Sequence, residues 1–201
     1  MPRRVLILFA HPRFEKSRAN RVLVKAVRSI RGVTFHDLYE RYPDFNIDLD
    51  YEKQLLLDHD VIVWHHPFYW YSAPPLLKQW IDIVLELGWA YGPGGVALKD
   101  KIVFNAITSG GAREVYSPTG HNRFTVRELL APFDQTAHLC KMVYLPPFAV
   151  QGTHRLTHEE LTRSAVRYNG LVETVVNGDL PLDDIRTHDF LNDWIMRTLN
   201  V

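Results

Sequence analysis

Apolar residues fall along this chain in two alternating rhythms: short unbroken runs, and longer stretches where they recur every three to four positions. The unbroken runs are Val5-Leu6-Ile7-Leu8-Phe9-Ala10, Val61-Ile62-Val63-Trp64 and Met142-Val143-Tyr144-Leu145, and Val33 to Leu38 and Lys101 to Ile107 read as strands with polar interruptions. Continuous apolarity is what a central parallel strand requires, because helices cover both of its faces. Helical patterns lie between the runs. Ser17 suits the N-cap of a helix with Val22, Leu23, Ala26, Val27 and Ile30 on one face, closing before Gly32. Pro74-Pro75 fits a first helical turn, with Leu76, Leu77, Trp80, Ile81, Val84 and Leu85 following and Gly88 as a stop. Thr125 to Glu128 and Thr157 to Glu160 read as capping boxes, the first opening a helix toward Gln135 and the second one that continues past Leu171. The pattern predicts an α/β fold, a doubly wound parallel sheet of five strands in the order 2-1-3-4-5 with helices on both faces. Tyr39 to Asp50 reads as a long polar connection, and residues 178–201 carry no assignment.

Composition narrows the class. The chain has 201 residues, 46% of them hydrophobic, enough for one substantial core. Its 23 basic residues balance 23 acidic ones, so no large field exists to collect nucleic acid or acidic membrane surfaces. Cys140 is the sole cysteine, which excludes an internal disulfide and a thiolate metal cluster and reads as a core residue. Met1-Pro2-Arg3-Arg4 leads into the first run without a small-residue cleavage site, and no apolar stretch is long enough to span a bilayer. The expectation is a cytoplasmic protein. None of the histidines forms a ligand spacing with another, so no metal site is expected.

Three turns carry the candidate chemistry, because open α/β sheets bind ligands where loops converge beyond the strands' carboxyl ends. After the first run, His11-Pro12 leads to Ser17-x-x-Asn20 at a helix start, where unpaired amides and the dipole favour an anion such as phosphate. Ser17 and Asn20 can add side-chain donors, His11 can donate and Arg18 can supply charge. An ordinary capped helix is the plainer reading. The third run ends in Phe68-Tyr69-Trp70-Tyr71, aromatics able to wall a planar heterocycle or to serve as core or dimer contacts. The fourth ends in Thr108-Ser109-Gly110-Gly111, where missing Cβ atoms permit close backbone approach to a ring carbonyl. Neither G-x-G-x-x-G nor G-x-x-x-x-G-K-[ST] follows the first strand, so a mononucleotide such as a flavin is favoured over a dinucleotide or a nucleoside triphosphate.

These residues resemble the flavodoxin-like NAD(P)H:quinone oxidoreductases, most closely the KefF-like ancillary proteins of glutathione-regulated potassium efflux systems. The likeness runs through Ala10-His11-Pro12, Ser17-x-x-Asn20, Tyr42 to Asp48, the aromatic turn and Pro74 to Lys78. It continues through Gly88 to Gly92, Gly110-Gly111 and Leu145 to Ala149. It implies a flavodoxin-like FMN-binding domain over residues 1–177, with 178–201 as an extension packed on that domain or on a dimer partner. FMN, with FAD left open, would be held by His11, Ser17, Arg18, Ala19 and Asn20 at the phosphate. Phe68, Tyr69, Trp70 and Tyr71 and then Thr108, Ser109, Gly110 and Gly111 would surround the ring. In related animal quinone reductases a tyrosine and a histidine after the glycine turn assist hydride transfer; by position these are Tyr116 and His121, across a segment that is shorter here.

The implied reaction is ping-pong: NAD(P)H passes a hydride to the flavin and leaves, and a quinone takes it from the same pocket. A homodimer is implied as well, with Trp89, Tyr91, Pro146 and Phe148 as candidates for its apolar wall. The alternative role is that of a regulatory subunit on the cytoplasmic face of a potassium efflux transporter, peripheral to the membrane and docking through Tyr39 to Asp50. An electron-carrier flavodoxin would be more acidic, and a response-regulator receiver would need clustered aspartates where this chain has His11-Pro12.

Overall fold

The apolar runs form β1 (Val5–Phe9), β2 (Val33–Asp37), β3 (Val61–Pro67), β4 (Ile102–Thr108) and β5 (Val143–Tyr144), followed by β6 (Phe148–Val150). These come from a computed structural model that describes residues 2–178 and 180–199. All strand pairings are parallel, in the order β2-β1-β3-β4-β5, with β6 also on β4. The expected fifth strand, Met142 to Leu145, shortens to two residues, and a further short strand follows it. Pro146-Pro147 offer no N–H to the ladder, and the chain rejoins the same neighbour at Ala106↔Phe148.

Alternate residues of the strands serve two cores. Val5 and Ile7 face the side covered by α1 (Arg18–Val27) and α7 (His158–Asn177), where Leu23, Val27, Leu171 and Val175 are buried. Leu6, Leu8 and Trp64 face the other side, under α4 (Pro75–Val84) and the pair α5 (Val126–Leu129) and α6 (Ala131–Leu139). Ser17 caps α1 through Asn20 N–H, both capping boxes form, and Gly178 closes α7 at φ +87°. Three expectations shift. The helix after Thr125 divides in two at Leu130, α4 ends at Val84 with Leu85 as its cap, and Gly88 belongs to the turn beyond.

The expected long connection holds two helices, α2 (Leu38–Arg41) and the start of α3 (Leu49–Leu57), capped by the side chains of Asp37 and Asp48. Periodicity hides α3 because it buries a carboxylate. Glu52 is 0% exposed and accepts from the Tyr42 hydroxyl at 2.6 Å and from Trp80 Nε1 at 2.8 Å, and lies 2.7 Å from His36 Nε2. Burial and this carboxylate push the Tyr42 phenol well up. The tail forms α8 (Leu182–Arg186) and α9 (Leu191–Leu199), which bury Ile185, Leu191, Trp194 and Ile195 in the α1–α7 core. Asn192 bonds both Ala149 N–H and Ala149 C=O, which covers the free edge of β6. Among the described residues no helix is long and apolar enough to cross a membrane.

Two predictions follow from these buried polar groups. Glu52→Ala strands three core partners and should cost roughly 3 kcal/mol or more in urea unfolding; a loss below about 1 kcal/mol would contradict the network. His65 and His66, both 0% exposed on β3, are pushed down to about 3 and about 4 by burial. The unfolded chain therefore binds more protons than the folded one between those values and 6.5, so stability is full above that range and falls as pH drops through it. Each histidine should contribute a slope of up to about 1.4 kcal/mol per pH unit, visible as a falling urea midpoint below pH 6.5. A midpoint constant down to about pH 4.5 would show that these groups titrate normally.

Candidate active site

Strand register brings the three bends level. Pro67 of β3 lies opposite Thr108 of β4, and Phe68 N–H donates to Thr108 C=O at 2.8 Å as both chains leave the sheet. Ala10 N–H bonds His65 C=O at 3.0 Å, so β1 turns away at the same edge.

In the first bend His11 is 6% exposed and its Nδ1 accepts from Arg13 N–H at 3.1 Å. Burial lowers its pKa against the raising effect of Glu15, so the neutral ring keeps its proton on Nε2, free to donate. The second bend is a single helical turn, Tyr69–Tyr71, in which Trp70 and Tyr71 have φ of +48° and +64°. Bulky residues reach this left-handed region at a cost of about 1–3 kcal/mol each, so surrounding structure must impose it. Tyr71 hydroxyl reaches Asn122 Oδ1 at 3.3 Å, and Tyr69 packs edge-on against His11.

The third bend is clamped from behind. Ser109 N–H bonds Val150 C=O, Gly152 N–H bonds Gly111 C=O, and the backbone and hydroxyl of Thr153 both donate to Ser109 C=O. The glycines let two side chains approach closely: a Cβ at Gly110 would lie 2.6 Å from His154 Nε2, and one at Gly111 3.0 Å from the ring of Tyr116, so either would oblige that ring to move.

Together the bends enclose two adjoining recesses. One, of about 420 Å³, takes His11, Ser17, Arg18, Ala19 and Asn20 from the first bend, Phe68 and Tyr69 from the second, and Thr108 and Gly110 from the third. Arg13, Lys16, Pro67, Thr153 and His154 complete it, and among the described residues no carboxylate lines it. The N-terminus of α1 opens onto it, so its electrostatics favour an anion. The other, of about 390 Å³, shares Phe68 and adds Trp70, Tyr71, Gly111, Tyr116 and His121. Tyr116 packs on Phe68, and burial raises its phenol. A larger groove between α1 and α7 touches only the first bend, through Arg18.

Six of the expected residues are placed or bonded in ways the sequence does not show. Ser109 lines neither recess; it is 4% exposed and its hydroxyl donates to Gly111 C=O at 2.8 Å. Asn20 lines the first recess, yet its amide hydrogens are bonded to Ser17 and Thr108 rather than free. Phe148, expected at a dimer wall, is fully buried and stacked on Tyr168, and Pro146, expected there too, is also buried, while Trp89 and Tyr91 are half-buried against the protomer's own core. Sequence reasoning passed over Arg13 and Lys16, which stood in the first bend as visible cations. It had no signal for Thr153 and His154, which arrive after a strand that the pattern did not separate.

The recesses form a cationic end and an aromatic end, the shape of a flat ring carrying a phosphate. The model of a family described by its flavodoxin-like fold matches residues 3–171. The glutathione-regulated potassium-efflux system ancillary protein KefG of Pectobacterium carotovorum subsp. carotovorum is 46% identical over 167 residues, 83% of this chain and 91% of its own. General stress protein 14 of Treponema denticola, solved in complex with FMN, is 39% identical, with a TM-score of 0.82 over 86% of this chain and 99% of that one. An NADPH-quinone reductase from P. pentosaceus is 32% identical, with a TM-score of 0.77 over 86% and 97%. By sequence and by fold alike, the chain belongs to the flavodoxin-like family.

Proposed function

We propose that this protein is an FMN-dependent NAD(P)H:quinone oxidoreductase. The observation that carries the reading is that three separate bends line one composite cavity, cationic at one end and aromatic at the other. That division fits FMN. His11 Nε2–H, the α1 amides and the Arg18 guanidinium suit a phosphate, Phe68 to Tyr71 suit a ring face, and the Gly110-Gly111 backbone suits ring carbonyls. Bound there, the flavin would supply the hydride chemistry between NAD(P)H and a quinone.

The chain's own residues then bind, orient and move protons. His121 and Tyr116 stand at the aromatic recess. A ring nitrogen can both give and take a proton, so His121 is assigned proton exchange with the acceptor's oxygen, and Tyr116 the orientation of the substrate ring. Trp70 is 92% exposed, and Tyr71 and Phe124 are nearly half exposed, which leaves the aromatic recess open on one side. A second copy of the chain closing that side is the dimer this reading expects. Likeness to the FMN complex and to the NADPH-quinone reductase supports the cofactor and the substrates.

The KefG relative favours a second role, as an ancillary subunit on the cytoplasmic face of a potassium efflux transporter. The segment it would use spans α2 and the start of α3, where Tyr42 and Ile47 are buried and Glu40, Arg41, Pro43, Asp44, Asn46, Asp48 and Asp50 are exposed and available for docking. Co-purification with a transporter, lost on changing these exposed residues while quinone reduction persists, would separate the two roles.

Purified protein should carry a yellow chromophore, released as FMN by mass, and should reduce a quinone with NADH or NADPH. His121→Gln should slow turnover by about a hundredfold without lowering flavin content. Unchanged kinetics would remove His121 from the mechanism. A colourless protein that takes up no FMN would overturn the enzymatic reading.

A further inference from the structure

Asn20 sits where the first and third bends meet and is 1% exposed. Its Nδ2 donates to Ser17 Oγ at 3.0 Å and to Thr108 Oγ1 at 2.9 Å, and its backbone N–H donates to Ser17 Oγ at 3.2 Å. On its other side Oδ1 lies 3.1 Å from His65 Nε2, and His65 Nδ1 lies 3.3 Å from the Tyr168 hydroxyl. His65 and Tyr168 are both 0% exposed, and Tyr168 is stacked on Phe148 and edge-on to His65.

One arrangement of protons satisfies the whole chain of contacts. A carboxamide oxygen only accepts, so His65 must carry its proton on Nε2. Burial keeps the imidazole neutral, which leaves Nδ1 bare to accept from the Tyr168 O–H. Turning the Asn20 amide over would move the His65 proton to Nδ1. The Tyr168 O–H would then have no acceptor among the described residues, a costly state in a core.

With Asn20 fixed as a donor, Ser17 Oγ already accepts two hydrogen bonds and Thr108 Oγ1 one. A hydroxyl has one proton and two lone pairs. Among the described residues neither hydroxyl donates to anything, both line the cationic recess, and Thr108 is only 6% exposed. Their protons are left for whatever enters.

We propose that the Tyr168–His65–Asn20 chain presets the Ser17 and Thr108 hydroxyls as donors into the recess, so that the site selects a phosphate monoester dianion, which only accepts, over an uncharged hydroxyl terminus. This rests on the flavin reading and adds its specificity. Ser17 and Thr108 would touch the phosphate; Asn20, His65 and Tyr168 are positioning residues that act through them.

The test is titration of flavin-free protein with FMN and with riboflavin, followed by quenching of flavin fluorescence. Wild type should bind FMN more tightly. Tyr168→Phe, which keeps the ring packing, should weaken FMN about tenfold with riboflavin affinity unchanged, and Thr108→Val, which keeps the shape, should weaken FMN about tenfold more than it weakens riboflavin. The inference falls if wild type binds both flavins equally, if each variant weakens both alike, or if folded Tyr168→Phe leaves the FMN preference intact. In those cases the flavin site itself still stands. Should wild type bind neither flavin, the flavin reading falls as well. Thr108→Val keeps the question answerable if Tyr168→Phe does not fold.

Discussion

The pairing of β3 with β4, seven residues long and fully buried, is the constraint on which the site depends. Because it ends with Pro67 opposite Thr108, the second and third bends leave the sheet side by side, joined by the Phe68 N–H to Thr108 C=O bond. A slip of one residue would send Thr108 to the opposite face and part it from Asn20. That register is in turn held by core packing of Val63, Trp64, Phe104 and Ile107 and by the buried contact of Asn105 Nδ2 with His66 Nε2 at 3.0 Å, so the position of a functional hydroxyl is decided by residues of the core.

Local conformations refine what the register sets. The backbone strain at Trp70 and Tyr71 lies in the bend that faces the aromatic recess, and the packing that holds it comes from Asn122 on Tyr71 and His11 on Tyr69. Clamping of Ser109 by Val150 and Thr153 does the same for the third bend. Hence β6, which adds only three residues to the sheet, matters to the site beyond its size, and the α9 residue Asn192 that covers its edge supports the bend indirectly.

Much of this was legible in the sequence, for identifiable reasons. Continuous apolar runs mark buried parallel strands, and Ser17, Thr125 and Thr157 mark helix starts through local bonds that need no tertiary information. What stayed hidden depends on distant partners. Helix α3 escaped because Glu52 occupies an inward position, which makes sense only once Tyr42, Trp80 and His36 surround it. Phe148 looked like an interface residue because nothing in the sequence pairs it with Tyr168. The sequence offers Ser109 and Asn20 as polar side chains of the bends, but the Asn20 bond to Thr108 joins two bends that the sequence does not align.

The central claim is that the three bends act as one binding surface for a single nucleotide. It is tested most directly by following backbone amide resonances of flavin-free protein as FMN is added. Amides of Ser17 to Asn20, of Trp70 and Tyr71, and of Ser109 to Gly111 should shift together along one saturation curve. Shifts confined to one bend, or concentrated in the groove between α1 and α7, would contradict it.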